Sequence, residues 1–127
     1  MMTSGPLATC RVLVVEDEAL LQMLLEDMLA DLGCTDMQAA ASPQEALALL
    51  EHNTFDLATL DVNLNGQSSY PVADALTKRG IPFLFSTGYG EHMREEFRTR
   101  PMLRKPFRVE DFERQVTSLV AHGHEKR

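Results

Sequence analysis

Arg11-Val12-Leu13-Val14-Val15 is a short β-branched run that stops abruptly at Glu16-Asp17-Glu18. Consecutive apolar positions of this kind predict a strand buried on both faces rather than one with a wet side. From Glu18 to about Leu32 the apolar residues Leu21, Leu24, Leu25, Met28, Leu29 and Leu32 recur at helical spacing, and Gly33 supplies a C-terminal stop. Thr35 to Ala40 predicts a weak second strand. Ser42-Pro43-Gln44-Glu45 then offers a capping Ser, Pro at the first helical position and Glu where it closes a capping box, starting a helix that runs to about His52.

The pattern repeats further along. Asp56 to Leu60 predicts a third strand ending at Asp61, followed by the polar loop Val62-Asn63-Leu64-Asn65-Gly66 and a helix from about Pro71 to Arg79. Ile81 to Phe85 predicts a fourth strand, Ser86 to Gly90 a loop, and Glu91 to Arg98 a weaker helix. A short last strand around Met102-Leu103 precedes Lys105-Pro106-Phe107, and Phe112, Val116, Leu119 and Val120 share one side of a final helix.

Five strand signals alternating with five helix signals imply right-handed βαβ units. The fold expected is a doubly wound α/β domain, a five-stranded parallel sheet with helices on both faces. At 127 residues the chain has the size of one domain, and 44% hydrophobic with 24% charged residues is a globular composition. The expected organisation is a flexible segment over 1–10, the domain over 11–121 and a frayed tail over 122–127.

Twelve Lys and Arg against 19 Asp and Glu give a net charge of −7, which speaks against unaided binding to nucleic acid or to an anionic membrane. No apolar run approaches the length of a membrane span, and Met1 to Pro6 lacks the regions of a signal peptide, so a cytoplasmic location is expected. Cys10 and Cys34 have neither CxxC spacing nor a nearby His and are expected to be small buried hydrophobes.

In a doubly wound sheet the chemistry gathers beyond the carboxyl ends of the strands. Those ends carry Glu16-Asp17, Asp61, Ser86-Thr87 and Lys105. Carboxylates brought that close raise one another's pKa unless a cation neutralises them, and Mg²⁺, with its preference for oxygen ligands and retained waters, suits the task. With the charge shielded, a carboxylate oxygen could attack a phosphoryl donor while Lys105 and Thr87 bind the phosphoryl oxygens. Asp61 stands alone at the end of the middle strand and is the best candidate nucleophile. Glu16 and Asp17 are better placed to hold metal, directly or through water.

These residues resemble the receiver domain of two-component response regulators, over about Arg11 to Leu119. The resemblance rests on the acidic pair in Val14-Val15-Glu16-Asp17-Glu18, on Asp61, on Thr87 and on Lys105-Pro106-Phe107, in that order and spacing. Phe85-Ser86-Thr87-Gly88-Tyr89-Gly90 is similar to the signature of the FAT GUY subgroup, with Ser86 where Ala is usual, and Asp61 to Gly66 resembles its phosphoacceptor loop. The resemblance implies a flavodoxin-like receiver fold. It implies that Asp61 accepts phosphate from a sensor histidine kinase or a histidine phosphotransfer protein, with Mg²⁺ held by Asp17, Asp61 and the Asn63 carbonyl and Glu16 acting through a metal-bound water. Thr87 and Lys105 would clasp the phosphoryl group. Receivers usually carry an aromatic switch three residues before the Lys, where this chain has Met102, whose flexible thioether cannot swing a ring. Gly88 and Gly90 make the loop after the fourth strand a candidate moving element instead.

The expectation is a single-domain regulator, not an enzyme acting on a separate substrate, that signals to a downstream protein target or relays phosphate. The alternative is a phosphohydrolase of the haloacid dehalogenase type, which also uses a strand-end Asp, Mg²⁺, Thr or Ser and Lys. It needs a second Asp two residues after the nucleophile, where this chain has Asn63, which cannot donate and recover a proton. A flavodoxin-like cofactor binder would have to cradle a phosphate in the first loop, where Glu16-Asp17-Glu18 repels one.

Overall fold

A computed structural model describes residues 5–88 and 94–125, with side chains as far as residue 121. Tyr89 and Gly90 of the loop motif, and 91–93 of the weaker helix, lie outside the described residues. The elements are β1 (Arg11–Val15), α1 (Ala19–Asp31), β2 (Asp36–Ala40), α2 (Pro43–His52), β3 (Leu57–Asp61), the two-residue strands β4 (Asn63–Leu64) and β5 (Gln67–Ser68), α3 (Tyr70–Lys78), β6 (Phe83–Thr87), a 3₁₀ turn (Glu95–Phe97), β7 (Met102–Arg104) and α4 (Val109–Glu125). Five strands form one parallel sheet in the order β2-β1-β3-β6-β7. This is the doubly wound, flavodoxin-like fold, and β1 and β3 flank the point where the strand order reverses.

Helix boundaries follow local chemistry. Ser42 Oγ accepts the Glu45 N–H at 3.2 Å while Glu45 Oε1 accepts the Ala41 N–H at 2.7 Å, so orphan donors on both sides of Pro43 are satisfied at the start of α2. Helix α1 ends as Gly33, at φ 97°, turns the chain so that the N–H groups of Gly33 and Cys34 bond the carbonyls of Ala30 and Leu29. The alternating side chains of the sheet feed two cores. Leu13, Val15, Ala58, Leu60, Phe83 and Phe85 pack with Ala46, Leu50, Val72, Ala73 and Leu76 of α2 and α3. Val12, Val14, Leu57, Leu84 and Leu103 pack with Leu25, Met28 and Leu29 of α1 and Phe112 and Val116 of α4.

Several expectations are corrected. The fourth strand runs Phe83–Thr87 rather than Ile81 to Phe85. Pro82 has no N–H to donate, so it stops short of the ladder and only its carbonyl serves β3, accepting the Ala58 N–H. At the other end Ser86 and Thr87, polar enough to read as loop, are buried in the strand. Between Gly88 and Met102 the described residues hold only a 3₁₀ turn where a weaker helix was expected. Of the expected flexible segment the described residues begin at Gly5, and Leu7 is fully buried, with its N–H bonded to the Leu32 carbonyl at 3.0 Å. The final helix continues to Glu125, past the expected start of a frayed tail at His122. Cys10 and Cys34 are buried free thiols, as expected of small hydrophobes, and burial raises the pKa of both.

Candidate functional site

Parallel register brings the strand ends to one edge. Asp61 closes β3 and stands opposite Ser86 of β6, while Glu16 follows the last residue of β1 and Lys105 the last residue of β7. The Lys105 N–H bonds the Thr87 carbonyl at 2.7 Å, and the Val62 N–H bonds the Ser86 carbonyl at 2.9 Å, tying the three loops together through the backbone.

The acidic run sorts by depth. Glu16 is 1% exposed, Asp17 half-buried and Glu18 exposed. Glu16, Asp17 and Asp61 each offer a carboxylate oxygen, and these oxygens lie within 4.8 Å of one another. Lys105 Nζ donates to Asp61 Oδ2 at 2.9 Å and lies 3.5 Å from Glu16 Oε1. The other carboxylate oxygens accept backbone N–H groups, Glu16 Oε2 from Glu18 at 3.2 Å and Asp61 Oδ1 from Asn63 at 3.2 Å. Asn63 Oδ1 in turn accepts the Gly66 N–H at 2.8 Å, which closes the tight loop after Asp61. Thr87 is buried at the end of β6, with its hydroxyl 3.2 Å from the Gly88 carbonyl.

Among the described residues one ammonium faces three carboxylates, which leaves the site electrostatically short of cations. Burial, and then the charge of Asp61, push the Glu16 carboxyl up to about 7. Burial also raises the pKa of Asp61, against the opposing pull of Lys105. Burial pulls the Lys105 ammonium down, but the hydrogen bond and charge of Asp61, with those of Glu16, outweigh it and leave its pKa raised. A set of hard oxygen donors held this close fits a small divalent cation such as Mg²⁺.

The sheet therefore brings Glu16, Asp17, Asp61, Asn63, Thr87 and Lys105 to one edge. A family model described as the response regulator receiver domain matches residues 12–117. The chain belongs to the response regulator receiver family.

This receiver is 34% identical over 121 residues to the transcriptional regulatory protein PdtaR of Mycobacterium tuberculosis, an alignment covering 91% of this chain and 58% of that protein. The chain thus spans somewhat over half the length of that curated relative. The solution structure of SdrG from Sphingomonas melonis Fr1 superposes with a TM-score of 0.79 at 40% identity, over 92% of this chain and 99% of that one. The REC domain of the PhyR response regulator of Erythrobacter litoralis superposes with a TM-score of 0.73 at 28% identity, over 93% and 92% of the two chains.

Two features of the receiver site escaped sequence reasoning. Glu16 contacts Lys105 directly, across 89 positions of chain. Ser69, completely buried, directs both its N–H and its hydroxyl at the Val62 carbonyl, each at 3.1 Å, and so pins the loop after Asp61 to the start of α3. Its only sequence signal is a Ser two residues before Pro71, at the start of a helix.

Proposed function

We propose that Asp61 is the phosphoacceptor of a response regulator and takes its phosphoryl group from a phosphohistidine on a sensor kinase or phosphotransfer protein. A carboxylate oxygen of Asp61 attacks phosphorus, the P–O bond forms as the P–N bond breaks, and the imidazole leaves with a proton. The observation that carries this reading is the buried Asp61 carboxylate, held at 2.9 Å by Lys105 beside two further carboxylates. Asp17, Asp61 and the Asn63 carbonyl would hold Mg²⁺, with Glu16 acting through a water. The metal supplies positive charge that lets the ionised carboxylates and the incoming phosphoryl oxygens share one site.

Lys105 and Thr87 bind the phosphoryl oxygens once they are transferred. The Lys105 N–H bond to the Thr87 carbonyl supports this role, because it locks the two residues together through the backbone. Asn63, whose amide oxygen is committed to the Gly66 N–H, offers no acid for a phosphomonoester hydrolase. The chain promotes only its own phosphorylation and dephosphorylation in this reading. The likeness of Phe85-Ser86-Thr87-Gly88-Tyr89-Gly90 to the FAT GUY signature supports membership of that subgroup.

The output is read on the receiver's own surface, by a downstream protein or by onward phosphate transfer, in the cytoplasm. A net charge of −7 speaks against direct nucleic-acid contact. Among the described residues no helix is long and apolar enough to cross a membrane.

The test is intact-protein mass after incubation with Mg²⁺ and acetyl phosphate, on wild type and Asp61→Asn. A single phosphoryl adduct on wild type alone is expected. Adduct on both would move the acceptor elsewhere, and turnover of an added phosphomonoester lost in Asp61→Asn would favour the hydrolase.

A further inference from the structure

Met102, at the position where receivers usually carry their switch aromatic, is half-buried in β7 and pairs in register with Phe85. The aromatic residues lie elsewhere. Phe85 meets Tyr70 at 6.3 Å and Phe97 at 5.5 Å, both near edge-on, and Tyr70 and Phe97 stack at 5.3 Å with planes 17° apart. Over these two stacked rings lies the Arg94 guanidinium, 4.7 Å from Tyr70 and 4.8 Å from Phe97. Arg94 also pairs with Asp74 at 2.9 Å and Glu96 at 3.1 Å, and its backbone N–H donates to the Tyr70 hydroxyl at 2.9 Å. One side chain thus joins α3, the 3₁₀ turn and the aromatic cluster.

Tyr70 is tied to the phosphoacceptor region from two directions. Its neighbour Ser69 grips the carbonyl of Val62, which directly follows Asp61, and its ring packs on Phe85, two residues before Thr87. If a phosphoryl group on Asp61 draws in Thr87, the end of β6 and the loop after β3 are the two segments that would move, and both touch Tyr70 or its neighbour Ser69. The Arg94 seat is well suited to register such a change. The Arg94 backbone N–H bond to the Tyr70 hydroxyl depends steeply on angle, and the side-chain Nε is buried without a hydrogen-bond partner among the described residues, a cost that release into water removes.

We propose that the Arg94 seat on Tyr70 and Phe97, anchored by Asp74, carries phosphorylation of Asp61 to the receiver surface, in place of an aromatic on β7. The inference rests on the phosphoacceptor reading above. Asp61 modification and a surface partner act on the same two-state element: Arg94 seated, or Arg94 released with Asp74 and Glu96 freed. Arg94 and Tyr70 are positioning residues here and touch neither the phosphoryl group nor its donor.

The test compares amide NMR spectra, with Mg²⁺ and with or without acetyl phosphate, of wild type, Tyr70→Phe and Asp74→Asn, alongside intact-mass measurement of phosphoryl uptake. Tyr70→Phe keeps the stacked ring and removes only the hydroxyl, and Asp74→Asn alters an exposed side chain, so both variants keep the fold. In wild type, phosphorylation-dependent shifts are expected at Asn63 and Thr87 and also at Asp74 and Glu95 to Phe97. In both variants uptake and the shifts at Asn63 and Thr87 persist, while those at Glu95 to Phe97 fall by about threefold or more. Undiminished shifts at Glu95 to Phe97 with normal uptake would overturn the inference and leave the phosphoacceptor reading standing. No uptake by wild type would overturn that reading, and the inference with it.

Discussion

Lys105 Nζ lies 2.9 Å from Asp61 Oδ2, and the same ammonium reaches Glu16 Oε1 at 3.5 Å. Among the described residues Lys105 is therefore the one cation placed between carboxylates from two other strands, and the behaviour of the site follows from how that charge is divided.

Asp61→Asn removes the proposed phosphoacceptor but not the packing. The amide keeps the side chain's shape, and Lys105 retains Glu16 as a partner. The variant is expected to take up no phosphoryl group by intact mass and to unfold in urea within about 1 kcal/mol of wild type.

Lys105→Ala leaves two buried carboxylates without their shared cation. Replacing one partner of a buried pair costs more than replacing both. With the Lys105 side chain 22% exposed, a loss of about 3 kcal/mol is expected, at the low end for a buried pair. Urea unfolding at pH 8 without divalent cation measures it, and a loss below about 1 kcal/mol would show that water already screens the pair.

Glu16 makes the metal-free protein pH-sensitive. Its folded-state pKa, raised to about 7 by burial and then by the Asp61 charge, lies above its unfolded value, so the folded state holds that proton more tightly. The resulting stability is fully present below the unfolded pKa and is lost as pH rises through about 7. The raised pKa of Asp61 acts in the same direction. In EDTA, wild-type stability is expected to fall relative to Glu16→Gln between pH 5 and pH 8, by roughly 3 kcal/mol at most. Mg²⁺ affinity, which requires the ionised carboxylates, should rise over the same interval and is measured by isothermal calorimetry.

Leu7→Ala tests whether the segment before β1 belongs to the domain. Leu7 is fully buried among residues of the α1 and α4 side of the sheet. A destabilisation of about 2–5 kcal/mol is expected from urea unfolding. A change near zero would mean that the segment detaches without consequence.

Local pattern made the element order and most boundaries legible. Ser42 with Glu45, and Gly33 after a run of leucines, act over one helical turn, and their geometry is the one their residue types demand. The positions of the candidate site residues were legible for a related reason: in a parallel sheet the residue that ends an apolar run must stand at the carboxyl edge, whatever the strand's neighbours. The fourth strand was misplaced because Pro82 looks like a strand start from composition but cannot donate to the ladder, while Ser86 and Thr87 look like loop but are buried at the carboxyl end of the strand.

What the sequence by itself determined is the alternation of strands and helices and the residue type at each strand end, because apolar periodicity and capping act between residues a few positions apart. Tertiary structure alone decided the rest. Glu16, Asp17 and Glu18 are chemically alike and adjacent, yet only the packing of β1 between β2 and β3 makes the first buried, the second half-buried and the third exposed. The Lys105 contacts, the insertion of Leu7 and the seating of Arg94 on Tyr70 likewise join residues 24 or more positions apart, and no local rule acts across such distances. Their energies come from desolvation and Coulomb attraction in a shared interior, which exists only once the sheet has closed.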